Sequence, residues 1–142
     1  MTVLESFQDR SFRFSLEILK LYRKLRACND LPFHVANQLV RAGTSIGANL
    51  EEAKSAYSRR DLASKQTIAL REARETHYWL RVAKTEQPQL TEEIDVLLDE
   101  CAELVAMLTS SVRKLRAEKA ASAIVAVFVG SSLLHFVVTF GF

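Results

Sequence analysis

Glu72 and Glu75 come nearest in type and spacing to acid–base chemistry in this 142-residue chain. Three apart on a helix, they are neighbours, and paired carboxylates serve as general acid and base where a cleft sets their pKa values apart. On the preceding helical segment Arg41, Ser45, Asn49 and Glu52 follow at i, i+4, i+8 and i+11, a polar stripe beside an apolar one. A facing Arg41 would hold both carboxylates ionised and quench their reactivity. Arg41, Ser45, Asn49, Glu72 and Glu75 are therefore read as a buried polar network that fixes helix register, with no catalytic residue among them. The expectation is a protein that is not an enzyme.

Metal and cofactor chemistry find no better footing. His34, His77 and His135 share no ligand-forming spacing, and the Glu-x-x-His pairs of di-iron bundles are absent. Cys28 and Cys101 are isolated, without a CxxC or Cys/His pattern, and read as reduced core residues. No metal and no cofactor are expected.

A net charge of +2 is too mild to announce a nucleic-acid binder, so distribution decides. Arg59, Arg60, Lys65, Arg71, Arg74, Arg81 and Lys84 crowd one segment, and Arg60, Arg71, Arg74, Tyr78 and Arg81 fall on one outer helical stripe. Glu86, Glu92, Glu93, Asp95, Asp99, Glu100 and Glu103 make the next segment acidic. The basic residues form the candidate nucleic-acid site, where neutralised phosphates would make binding salt-sensitive. Solvated faces, or head-to-tail pairing between subunits, stay open as alternatives.

The elements that must position these residues are helical. Four Gly and two Pro, 49% apolar and 25% charged residues, imply one domain of long helices. Phe7, Phe14, Ile18, Leu21 and Leu25 mark a first helix ending near Cys28. A second runs from about Pro32 to Ala56, capped by Asp30, with Gly43 and Gly47 pointing to close approach of another helix. Ser58 with Asp61 opens a third, whose seam is Leu62, Gln66, Ala69, Ala73, Thr76, Leu80 and Ala83, and Gln87–Pro88 stops it. Ile94 to Leu115 carry a fourth to about Lys119. Short connections make this an all-α, up-down-up-down antiparallel four-helix bundle over residues 1–119.

Residues 120–142 carry no Lys, Arg, Asp or Glu. This apolar tail is long enough to cross a hydrocarbon core of about 30 Å, and Arg113, Lys114, Arg116 and Lys119 would hold the bundle on the cytoplasmic side. Packing over the bundle or a neighbouring subunit as a strand-prone segment and an aggregation-prone or accidental extension are the other readings, and Ser131, Ser132 and His135 weigh against membrane burial. The N-terminus shows no signal-peptide pattern, so the expected location is the cytoplasm, with membrane anchoring by the tail as the alternative.

The strings QLVRAGTSIGANLEEAK (Gln38 to Lys54) and RRDLASKQTIALREARETHYWL (Arg59 to Leu80) resemble the bacterial four-helix-bundle family encoded in intervening sequences of 23S rRNA genes. The resemblance covers about Phe7 to Leu115, and the chain departs from it beyond Lys119, where members usually end. It implies an antiparallel bundle that forms homo-oligomeric rings, commonly pentamers, in a family mostly of undefined function. The accessory variability determinants of diversity-generating retroelements are similar in fold, and that similarity implies a basic surface that holds nucleic acid and a reverse transcriptase. It carries over to the basic stripe in kind only. The expected function is thus a non-enzymatic homo-oligomeric bundle that binds RNA or a nucleic-acid enzyme through its third helix, the alternative being a membrane-tethered assembly scaffold.

Overall fold

The computed structural model describes residues 6–28 and 31–140, with side chains described to residue 117. α1 (Phe7–Ala27) starts at a serine cap: Ser6 Oγ accepts from the Asp9 backbone N–H at 3.0 Å. Asp9 in the first turn and Lys24 and Arg26 in the last complement the helix dipole. α2 (Phe33–Ala53) follows Pro32, which holds the cap position without a side-chain bond. Asp30, the expected cap, lies outside the described residues. α2 stops at Ala53 rather than Ala56, because the backbone tightens there, Ser55 N–H donating to Glu52 O and Ala56 N–H to Ala53 O.

α3 (Arg59–Glu86) is capped as its sequence predicts, Ser58 Oγ accepting from the Asp61 backbone N–H at 3.1 Å. A 3-10 turn at Pro88–Leu90 leads into α4 (Thr91–Phe140). α4 therefore continues past Lys119, the expected end of the fourth helix, and the segment read as strand-prone has helical backbone. No proline interrupts it, and extending an existing helix costs far less than nucleating new structure. Among the described residues no helix is long and apolar enough to cross a membrane. The readings of the tail as an anchor or a packing extension depend on side chains beyond residue 117, outside the described residues.

Short connections make consecutive helices antiparallel, and α1 on α2, α2 on α3 and α3 on α4 are the extensive contacts. α1 closes on α4 more lightly. The core is built from Phe14, Ile18, Leu21 and Leu25 of α1, Leu39, Ile46 and Leu50 of α2, Leu80 of α3, and Ile94, Leu104 and Leu108 of α4. α3 contributes mainly small residues, with Ala69, Ala73, Thr76 and Ala83 all buried. The Thr76 hydroxyl is satisfied by donating to Glu72 O at 2.7 Å.

The two glycines of α2 do set a close approach. A Cβ at Gly43 would meet Ile18 Cγ2 at 2.8 Å, and one at Gly47 would meet Ser15 Oγ at 3.0 Å. Cys101 is a core thiol as expected, donating to Ala73 O at 3.2 Å, and burial pushes its pKa up to about 12. Cys28 corrects that expectation: it is only half-buried, at the C-cap of α1, with its thiol donating to Lys24 O.

Candidate nucleic-acid interface

α3 and α4 meet along buried seams, and the positions just outside those seams line a shared groove of about 560 Å³. α3 supplies Thr67, Arg71 and Arg74, and α4 supplies Thr109, Arg113 and Arg116. Both sets have the spacing Thr-x-x-x-Arg-x-x-Arg, which on a helix places the three residues on one stripe. Leu70, Val112 and Ala117 give the groove an apolar floor. The four arginines are exposed, and among the described residues none forms an ion pair with a carboxylate. Arg116 reaches across the groove, its Nη2 donating to Thr67 Oγ1 at 3.5 Å. A guanidinium presents a planar fork of donors that matches phosphate oxygens, so clustered guanidiniums on an apolar floor suit a polyphosphate chain.

The remaining cations of the expected site separate into different settings. Lys65 bonds the Glu52 carboxylate of α2, and the hydrogen bond to Glu52 raises its pKa. Lys84 donates to Asp95 Oδ1 of α4 at 2.6 Å. Arg59 and Arg60 are exposed in the first turn of α3. Arg81 lines a second groove on the α3 face, of about 510 Å³, with His77, Tyr78 and Lys84. Of the basic residues singled out in the sequence, only Arg71 and Arg74 enter the α3–α4 groove. Arg113 and Arg116 complete it, although their sequence context reads most simply as the flank of an apolar tail. The repeated Thr-x-x-x-Arg-x-x-Arg pattern is the signal that could have found them.

Arg41 does face Glu72 and Glu75, but the expectation of burial is corrected. Its side chain is 51% exposed, Nη2 bonds the Glu75 carboxylate, and Nη1 donates to Glu72 Oε2 at 3.4 Å. The bond from Arg41, with smaller help from Trp79 and Arg71, holds the Glu75 carboxyl below the usual carboxylate range. Ser45 and Asn49 stand apart from this bridge: both are half-buried, and Asn49 Nδ2 donates to Ser45 O at 2.8 Å, within α2. Three carboxylates of the acidic stretch are bonded by cations of other helices, Glu93 by Lys24, Asp95 by Lys84 and Glu100 by Arg10. Among the described residues no group of His, Cys, Asp and Glu is arranged to hold a metal ion.

Residues 5–110 match a family model described as 23S rRNA-intervening sequence protein. The matched span ends before Arg113 and Arg116. A crystal structure of a protein with unknown function from the S23 ribosomal protein family, from Bacteroides thetaiotaomicron VPI-5482, is similar with a TM-score of 0.70 and 36% identity, over 75% of this chain and 98% of that one. No curated protein matches. Neither description names a catalytic activity.

Proposed function

This chain belongs to the 23S rRNA-intervening sequence protein family, and from that premise we propose that it is a non-enzymatic, self-assembling bundle that binds RNA through the groove between α3 and α4. The observation that carries this reading is the convergence of Arg71, Arg74, Arg113 and Arg116 on one apolar-floored groove whose lining, among the described residues, contains no carboxylate. A catalytic role has little to work with, because Arg41 keeps Glu75 ionised at the surface. Self-assembly strengthens the binding reading, since copies of a modest basic groove on one particle act on one RNA through effective concentration.

The test titrates the full chain against fluorescently labelled RNA across a salt series, beside a variant carrying Arg71→Glu, Arg74→Glu, Arg113→Glu and Arg116→Glu. Wild-type affinity falls as salt rises, with a slope of about 0.7 to 0.9 per neutralised phosphate. The variant is expected to lose roughly a hundredfold in affinity and to show a shallower slope. A helical, folded variant with wild-type affinity and slope sinks the reading. Light-scattering mass tests the assembly: a multiple of the 16.0 kDa chain is expected, and a monomer removes that part.

A further inference from the structure

Beyond the groove of arginines, the same face of α3 carries an aromatic ring with no part in the core. Tyr78 is 55% exposed, and lies one helical turn, about 6 Å, along α3 from Arg74. It lines the second groove with His77, Arg81 and Lys84. Its neighbour Trp79 holds it edge-on, ring centroids 4.9 Å apart at an interplanar angle of 73°. Trp79 is itself anchored, its indole N–H donating to Glu75 Oε1 at 3.3 Å, and Glu75 is held by Arg41. An exposed ring backed by a fixed indole is a pre-oriented surface rather than a mobile side chain.

Resting on the RNA-binding reading, we infer that Tyr78 is a stacking platform for an unpaired base, so that this face takes a single-stranded nucleic acid with its phosphates along Arg74 and Arg81. A duplex keeps its bases stacked on each other and presents only backbone and groove, so it can use the arginines but not the ring. A single strand can turn a base out onto an aromatic face, and this needs no particular base identity because every base has a π-face. Lys84 is already neutralised by Asp95, which leaves Arg81 as the cation of this groove that bonds no carboxylate among the described residues. Arg41, Glu75 and Trp79 act as positioning residues, setting the ring rather than touching the strand.

The experiment measures affinity of the full chain for a labelled single-stranded RNA, a single-stranded DNA of matched sequence and an RNA duplex, with Tyr78→Ala and Tyr78→Phe. Tyr78→Ala is expected to weaken single-strand binding about tenfold and to leave the duplex within twofold, while Tyr78→Phe retains wild-type affinity. Emission from Trp79, the single tryptophan, is expected to change on binding single strands and not duplex. Loss on both single strands assigns the shared base stack, and loss on the RNA alone assigns RNA as the source. Unchanged affinity in Tyr78→Ala, or an equal loss on duplex and single strand, overturns the inference while RNA binding through the arginines stands. Wild-type protein that binds no nucleic acid overturns both.

Discussion

Two grooves run along α4, one against α1 of about 670 Å³ and one against α3 of about 560 Å³, and both contain arginines. In the first, Arg10 donates to Glu100 through Nε at 2.6 Å and Nη2 at 2.8 Å, and Glu17, Asp99 and Glu103 add further carboxylates to the lining. In the second, the described lining around Arg71, Arg74, Arg113 and Arg116 is threonine and apolar side chains, and among the described residues none of the four is ion-paired, although Arg71 acts on Glu75 from a distance. α4 changes sign along its length, so its acidic half clasps α1 and its basic turn adds to the charge of α3. An arginine is available to an anion only where the partner helix has not already supplied one.

The sharpest way to break this contrast is to copy the acidic lining into the basic groove. Thr67→Glu with Thr109→Glu leaves each arginine in place yet gives it a partner, and RNA affinity is expected to fall about thirtyfold, roughly 2 kcal/mol, in a fluorescence anisotropy titration. Unchanged affinity there would mean that the groove is not the binding surface. How α1 stays on the bundle is tested next. Gly43→Ala gains roughly 1 kcal/mol of helix propensity but drives a Cβ into the stiff, buried Ile18, for a net loss of about 1.5 kcal/mol by urea unfolding. Arg10→Ala, which opens only the ion-paired side of α1, is expected to lose about 1 kcal/mol and to leave RNA affinity within twofold. A drop in RNA affinity would place Arg10 among the binding cations.

Arg41→Ala gives a smaller loss, about 0.5 kcal/mol, because the bridge is at the surface; a loss near 3 kcal/mol would return it to the core. The last effect is on pH. The hydrogen bond from Arg10 holds the Glu100 carboxyl below its ordinary value of 4.5, so the unfolded chain takes up that proton first. The stability from this pair is complete above about pH 4.5 and is lost as pH falls through the lower folded value. Glu100→Gln should therefore flatten the acid side of the stability curve, and an unaltered curve would mean that the pair contributes nothing to folding.

Helix existence and core faces were legible because they follow from local periodicity: Ile18, Leu39, Leu80 and Leu104 are buried where their stripes place them. The caps at Ser58 and the approach at Gly43 were legible for the same reason, each depending on residues close in the chain or on a missing Cβ. The site was only half legible. Arg71 and Arg74 stand out within α3, whereas Arg113 and Arg116 gain their meaning from lying across the groove from them.

The sequence by itself determined that this chain is a bundle of four helices, with its apolar stripes, its breaks and its separate acidic and basic segments, because these are set by spacings within a few residues. Only the tertiary structure decided which cations remain available. Lys65 and Arg74 look alike in the sequence, yet one is bonded to Glu52 of α2 and the other opens onto a groove. Tertiary structure also put Arg41 at the surface, since burial depends on how far a neighbouring helix reaches. Charge pairing is a property of distance in space, and periodicity along one helix does not fix what the next helix brings opposite.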